Sequence, residues 1–182
     1  MSEQTEFMGT DRDLVRAILE RGDERAFRSL YRRHTHRLFG FVSRLLAGSG
    51  FEDEDIVQET WLRACEQLKQ FQWRASFSTW LLAIGLNAVR DELRRRGRSQ
   101  AVPLDCVPDP PGPRMTYDAG IDLERAIRML PDDYRIVLVL HDVEGIKHHE
   151  ISQRLEIPIG TTKSQLSRAR GMIRQWLSEK AR

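Results

Sequence analysis

The sequence predicts an all-α protein made of two helical domains, an N-terminal bundle and a smaller C-terminal domain, joined by a Pro-rich linker. Three observations predict it. Apolar residues recur at helical spacing in separate blocks, no segment alternates convincingly as a half-buried strand does, and five of the seven prolines (Pro103, Pro108, Pro110, Pro111 and Pro113) fall in one stretch. Proline fixes its own backbone angle and lacks the amide hydrogen, so no helix runs through that stretch. The expected organisation is therefore a domain over residues 1–98, an extended and semi-stiff linker over 99–119, and a domain over 120–182.

The first block is short, with Leu14, Val15, Ile18 and Leu19 on one face. A longer stripe follows (Phe27, Leu30, Tyr31, Leu38, Phe41, Val42, Leu45, Leu46), which Gly48 and Gly50 end. Ile56, Val57, Trp61, Ala64 and Leu68 form the third stripe, opened by Glu52, Asp53, Glu54 and Asp55, acids that suit the positive end of a helix dipole. Ser76 is placed to cap a fourth helix carrying Phe77, Leu81, Ile84, Ala88 and Leu93, whose basic end (Arg94, Arg95, Arg96, Arg98) suits a helix C-terminus. After the linker come Leu123, Ala126, Ile127 and Leu130. Pro131 then starts a helix through Val137, Leu138 and His141 that Gly145 stops. Residues 137–140 come nearest to a strand pattern but sit inside this helical one.

A short helix with Ile151 and Leu155, a tight turn at Glu156, Ile157 and Pro158, and a last helix with Leu166, Ala169, Ile173 and Leu177 inward make a helix-turn-helix. Packing Thr162, Leu166, Ala169 and Ile173 inward leaves Lys163, Ser164, Ser167 and Arg168 outward on the first turns, the face a recognition helix presents to base edges. Thr161, at the helix start where free amides suit a phosphate, and Arg170 complete the duplex-contacting set. The net charge of +2 says little, but from Gly160 onward six basic residues stand against the single acid Glu179. That end carries the electrostatic footprint of a phosphate binder.

Other function classes find less support. No unbroken apolar run exceeds five residues, that of 136–140 being one, where a membrane-spanning helix needs about 20. The acidic N-terminus lacks the basic start and apolar core of a secretory signal, so a cytoplasmic protein without membrane insertion is expected. Cys65 and Cys106 are too few for a disulfide framework, and both are expected as reduced thiols. His34 and His36 point to different helix faces, and His148 and His149 lack a third ligand nearby, so neither a metal nor a cofactor is expected. No nucleophile motif or phosphate loop marks an enzyme.

The helix-turn-helix segment, residues 150–170, resembles the promoter-binding fourth region of the extracytoplasmic-function sigma factors. It departs from the family's common residues at Ser152 (usually a small residue such as Ala), Glu156 (Gly), Thr162 (Val) and Gln165 (Arg). The replaced Gly has the largest physical consequence, because a left-handed turn there costs a non-Gly residue about 1 kcal/mol. These departures bear on the preferred DNA sequence and leave the fold intact.

A second segment, Asp55-Ile56-Val57-Gln58-Glu59-Thr60-Trp61, then Phe71, Phe77-Ser78-Thr79-Trp80-Leu81, Asn87 and Arg90-Asp91, is similar to the second region of the same family. The resemblance runs from about residue 11 to residue 177. It implies an RNA polymerase sigma factor that binds core polymerase, reads and melts the minus-ten element with the N-terminal domain, and reads the minus-thirty-five duplex with the C-terminal one. Helical spacing puts Asp55, Gln58, Glu59 and Leu62 on one polar, acidic face, which the resemblance assigns to the clamp helices of core polymerase. Taken alone, acids opening a helix are plain dipole complement; the aromatic block and the helix-turn-helix in the same chain favour docking.

Phe71, Trp73, Phe77 and Trp80 lie in or beside a loop carrying Arg74, and aromatics interleaved with arginine suit unstacked bases. The minus-ten set is Phe71, Trp73, Arg74, Trp80, Asn87 and Arg90, with Phe77 and one of the tryptophans expected in the core instead. The resemblance also implies an anti-sigma protein as a partner, besides core RNA polymerase and promoter DNA in duplex and melted form. The rival of another class is a stand-alone regulator whose N-terminal helices sense a ligand or dimerise, and which binds palindromic duplexes without polymerase.

Overall fold

The computed structural model describes residues 9–47, 52–95 and 119–180, and within them every regular element is a helix. The expected linker lies outside the described residues except for its last position, as do Gly48, Gly50, Arg96, Arg98 and Cys106. The chain divides into two compact units, residues 1–43 with 52–92, and residues 44–51 with 93–182.

The first unit is built on α1 (Asp11–Arg21), α2 (Glu24–Leu46), α3 (Asp53–Gln67), a 3-10 turn (Leu68–Gln70) and α4 (Phe77–Arg95), the last residues of α2 from Arg44 and of α4 from Leu93 falling in the second unit. A capping box opens α1: Thr10 Oγ1 accepts from the Asp13 amide at 3.3 Å, and Asp13 Oδ2 accepts from the Thr10 amide at 3.1 Å. Gly22 ends the helix in the left-handed region, at φ 62°, where a side chain is strained. Asp23 then accepts from the amides of Arg25 and Ala26, so the chain enters α2 within two residues. Asp11 ties the pair across its own ends, accepting from Arg33 at 2.8 Å and bonding His34 Nε2 at 3.0 Å.

The core of this unit collects the apolar stripes. Leu14, Val15, Ala17, Leu30, Leu38, Phe41, Val42, Ile56, Val57, Trp61, Ala64, Phe77, Leu81, Ile84 and Val89 are all buried. Gly85 lets α4 pass close to its neighbours. A Cβ there would sit 3.0 Å from Leu38 Cδ1 and 3.6 Å from the Thr60 side chain. Leu19 and Tyr31, expected inward, are 41% and 38% exposed, because each lies at the rim of its stripe with neighbours on one side only.

The second unit holds α5 (Ala119–Arg128), α6 (Asp132–Leu138), α7 (His148–Leu155) and α8 (Ile159–Lys180). Pro131 caps α6, its carbonyl accepting from Arg135 at 2.9 Å. After Leu138 the helix widens into a π turn over Val139–Val143, closed by the Glu144 amide on the Val139 carbonyl at 3.0 Å, before Gly145 stops the chain at φ 70°. Ala126, Ile127, Leu130, Val137, Val139, Leu140, Ile151, Leu166, Ala169 and Ile173 are buried, and α5, α6 and α7 all pack on α8. Leu177 and Leu123 were expected inward but are 38% and 44% exposed. Ile173 is the last buried apolar residue of α8, and Leu177 lies beyond it.

Candidate polymerase and nucleic-acid interfaces

One side of α3 is buried through Ile56, Val57, Thr60, Trp61 and Ala64. On the other, Asp55, Gln58 and Leu62 are exposed. Leu62, 57% exposed, is an apolar side chain set among acids and held in water. Glu59 is more enclosed. It accepts from Arg63 Nε at 2.8 Å, while Arg63 Nη1 donates to Asp91 on α4, also at 2.8 Å. The bonds to Asp91 and Glu59 raise the Arg63 pKa above its ordinary value despite partial burial. The acidic edge is thus Asp55 and its upstream neighbours, with Glu59 half neutralised by Arg63 four residues on; the bond that helical spacing does not reveal is Arg63 to Asp91, across 28 residues.

Between the 3-10 turn and α4, residues 71–76 form the aromatic loop. Ser76 caps α4 as expected, its Oγ accepting from the Thr79 amide at 3.1 Å. Phe71 is the centre of the loop: its ring lies 4.6 Å from Trp73 and 4.7 Å from Trp80, the latter stacked at 25°. Phe77 belongs to the core, 1% exposed, whereas Trp73 and Trp80 are both half-buried. The expectation that one of these two tryptophans is core therefore needs correcting. Trp80 packs on both Phe71 and the core Phe77 yet stays half-buried, and the buried tryptophan is Trp61 on α3, grouped with Phe27, Tyr31 and Phe77.

Trp73 has φ 56°, a conformation bulky residues rarely adopt and that surrounding structure must hold. The Arg12 guanidinium lies over its indole, 5.2 Å from the ring centroid. Arg74, next in sequence, is exposed. Asn87 is exposed and Arg90 half-buried on α4, on one face of that helix. Asn87 is ten residues beyond Phe77, roughly 15 Å along the axis. The structure therefore brings Trp73 and Trp80 together on Phe71, stacked for Trp80 and tilted for Trp73, and sets Asn87 and Arg90 further along α4.

In the helix-turn-helix, Glu156 takes φ 58° and ψ 40°, the left-handed conformation for which Gly is usual. Ser152 closes the turn from both sides, its carbonyl accepting from the Ile157 amide at 3.2 Å and its hydroxyl donating to the Ile157 carbonyl at 2.6 Å. Thr162 is fully buried, donating its hydroxyl to the Ile159 carbonyl at 2.8 Å. Because that proton is committed, the 3.1 Å contact between Thr162 Oγ1 and His148 Nδ1 has the histidine as donor. Two of the departures from the family pattern, Ser152 and Thr162, thus bond within the turn. Gln165 differs: its Oε1 is buried and has no hydrogen-bond partner among the described residues.

Lys163 is exposed, and Thr161, Ser164, Ser167 and Arg168 are half-buried on the same helix. Three of the expected duplex contacts are engaged inside the unit, Ser164 through its hydroxyl, which donates to the Thr161 carbonyl at 3.0 Å, and the two arginines. Arg168 Nη1 donates to the Tyr134 hydroxyl at 3.1 Å. Arg170 donates from Nε and Nη2 to the two oxygens of Asp142, at 3.0 and 2.7 Å. The Asp142 oxygen that takes Arg170 Nη2 also accepts from His141 Nδ1 at 2.8 Å, and the His141 ring lies 4.5 Å from that of His148. A polar chain therefore runs from Arg170 through Asp142, His141 and His148 to Thr162. Sequence reasoning missed it, because the link from α6 to α8 spans 28 residues and passes through a π turn. No group of three potential metal ligands occurs among the described residues, and none of the described helices is long and apolar enough to cross a membrane.

Comparison with known proteins matches residues 30–99 to Sigma-70 region 2 and residues 121–173 to Sigma-70, region 4. The chain is 35% identical over 169 residues to the ECF RNA polymerase sigma factor SigE of Mycolicibacterium smegmatis, a match covering 87% of this chain and 65% of that protein. It is 29% identical over 178 residues to the RNA polymerase sigma-H factor of Pseudomonas aeruginosa, covering 90% and 91% of the two. Among solved structures it is similar to the sigma factor RpoE in complex with the anti-sigma factor NepR from Bartonella quintana, at TM-score 0.61 and 27% identity over 84% of this chain and 96% of that one. It is also similar to CnrH in complex with the cytosolic domain of CnrY, at TM-score 0.58 and 25% identity over 93% and 97%.

Proposed function

The chain belongs to the extracytoplasmic-function sigma factors, and from that premise we propose how its two units divide the work of starting transcription at chosen promoters. Residues 1–98 bind core RNA polymerase and read and melt the minus-ten element. Residues 120–182 read the minus-thirty-five duplex, and residues 99–119 link the two. The observation that carries this division is the half-exposed cluster of Phe71, Trp73 and Trp80 in the same unit as the exposed acidic face of α3, since a helix-turn-helix alone implies only duplex binding.

Asp55, Gln58, Glu59 and Leu62 form the docking face for core polymerase. Asp55 attracts a basic partner helix, and Leu62 loses its exposure to water when covered. Phe71, Trp73, Arg74 and Trp80 receive unstacked bases of the non-template strand, with Asn87 and Arg90 further along the same path. Each stacked base contributes about 1–3 kcal/mol, enough to offset the few kcal/mol that extruding a base costs. Thr161, Lys163, Ser164, Ser167, Arg168 and Arg170 take the minus-thirty-five duplex, the serines and Lys163 at base edges and the arginines at phosphates or bases. Tethering makes the second contact intramolecular, so neither unit needs tight binding by itself. The chain contributes no reaction of its own; the polymerase supplies the chemistry, in the cytoplasm where both work. RpoE and CnrH were both captured with a partner protein, NepR and the cytosolic domain of CnrY, which supports control of this chain by an anti-sigma factor.

The docking assignment is tested by co-purification of the full chain with core polymerase. The triple variant Asp55→Ala, Gln58→Ala, Glu59→Ala is expected to be lost from the complex while folding normally. Retained binding by that variant contradicts the assignment.

A further inference from the structure

Three charged residues open α1, and two of them are neutralised within the unit. Asp11 is bonded to Arg33 and His34, and Asp13 to Thr10 and Arg16. Arg12, exposed between them, has no ion pair among the described residues, and its guanidinium is laid over the Trp73 indole at 5.2 Å. A guanidinium held over an aromatic ring by the attraction of its charge leaves its N–H edges available to another partner. Those edges are what binds a phosphate in bidentate fashion. Below the charge lies the Phe71 stack, with Trp73 held at φ 56°. An uncompensated cation fixed on the rim of a half-exposed aromatic platform suits a nucleotide, whose base stacks while its phosphate stays at the edge.

We infer that Arg12 contacts the phosphate backbone of the single DNA strand as it crosses the Phe71, Trp73 and Trp80 platform, and at the same time holds Trp73 in place. The site thus extends from the aromatic loop to the first turn of α1, about sixty residues away in the chain. This rests on the proposed binding of unstacked bases by the loop.

Polymerase holoenzyme carrying the full chain is titrated with a fluorescent single strand bearing the non-template minus-ten sequence of a promoter it transcribes, over a range of salt. Arg12→Gln, which keeps a flat polar group and removes the charge, is expected to bind about tenfold more weakly. Its dependence of log affinity on log salt falls by about 0.7, the loss of one phosphate contact on a single strand. Arg12→Lys keeps the slope. A weakened Arg12→Gln with an unchanged slope means that Arg12 only props Trp73, and overturns the phosphate contact, as does unchanged affinity. Trp73→Ala separates the two layers. If it is weakened while Arg12→Gln binds as the parent does, the platform stands and the Arg12 contact falls. If Trp73→Ala binds normally, the platform reading falls and this inference with it.

Discussion

Asp142 and Arg170 face each other with two parallel hydrogen bonds, at 3.0 and 2.7 Å, so an arginine on the proposed DNA-binding helix is already neutralised by its own unit. Burial alone would raise the Asp142 carboxyl; the bonds from Arg170 and His141 outweigh it and hold the pKa below the ordinary value. Replacing Asp142 with Asn frees the arginine. The pair is partly exposed, so the loss of stability is small, on the order of 0.5 kcal/mol. Affinity of the holoenzyme for the minus-thirty-five duplex is expected to rise, with the salt slope steeper by about 0.9. An unchanged slope in a salt titration assigns Arg170 to structure alone.

His148 makes this region sensitive to acid. Burial first, then the positive charges of His141, Lys163 and Arg170, lower its pKa from the ordinary 6.5, while Asp142 opposes them. A histidine with a depressed folded pKa contributes stability that is fully present above the unfolded value and lost as pH falls below it. The urea midpoint is therefore expected to drop between about pH 7.5 and pH 5.5. His148→Asn keeps a donor near the Nδ1 position toward Thr162 and does not titrate, so it should flatten that part of the profile. An identical drop in the variant removes His148 from the account.

Glu156 sits where the backbone favours glycine, at φ 58°. Glu156→Gly is expected to stabilise the chain by about 0.5–1 kcal/mol, read as a higher urea midpoint. A lower midpoint would mean that the Glu156 side chain contributes more than the strain costs.

Leu62 separates docking from folding. It is 57% exposed, so Leu62→Asp should leave the unfolding free energy from urea titration within about 0.5 kcal/mol of the parent. Binding to core polymerase, measured by competition with a labelled parent chain, should weaken at least tenfold. Equal affinity would move the docking surface elsewhere.

Much of this fold was legible because its elements obey simple local rules. The 3.6-residue stripes placed the helices, Ser76 and Gly145 marked a start and a stop, and the Gly usual in the resembled family where Glu156 stands pointed to a left-handed turn. The π turn at Val139–Val143 was not legible, since a single widened turn keeps the apolar pattern of an α-helix. Residues at the ends of stripes, such as Leu19 and Leu177, were overassigned to the core, because periodicity gives a direction and says nothing about cover. The candidate sites were legible as faces and as an aromatic cluster. Their supporting contacts, Arg12 on Trp73, Arg63 to Asp91 and Asp142 to Arg170, join residues far apart in sequence with no local spacing rule.

The central claim is that this chain gives core RNA polymerase its promoter choice. Run-off transcription from a genomic promoter library, with purified core polymerase and with or without the chain, tests it most directly. The expected result is a discrete set of start sites that appears only with the chain, shares one minus-ten and one minus-thirty-five element, and is lost in Leu62→Asp. Specific binding of duplex DNA without polymerase, and no added start sites with it, would contradict the account.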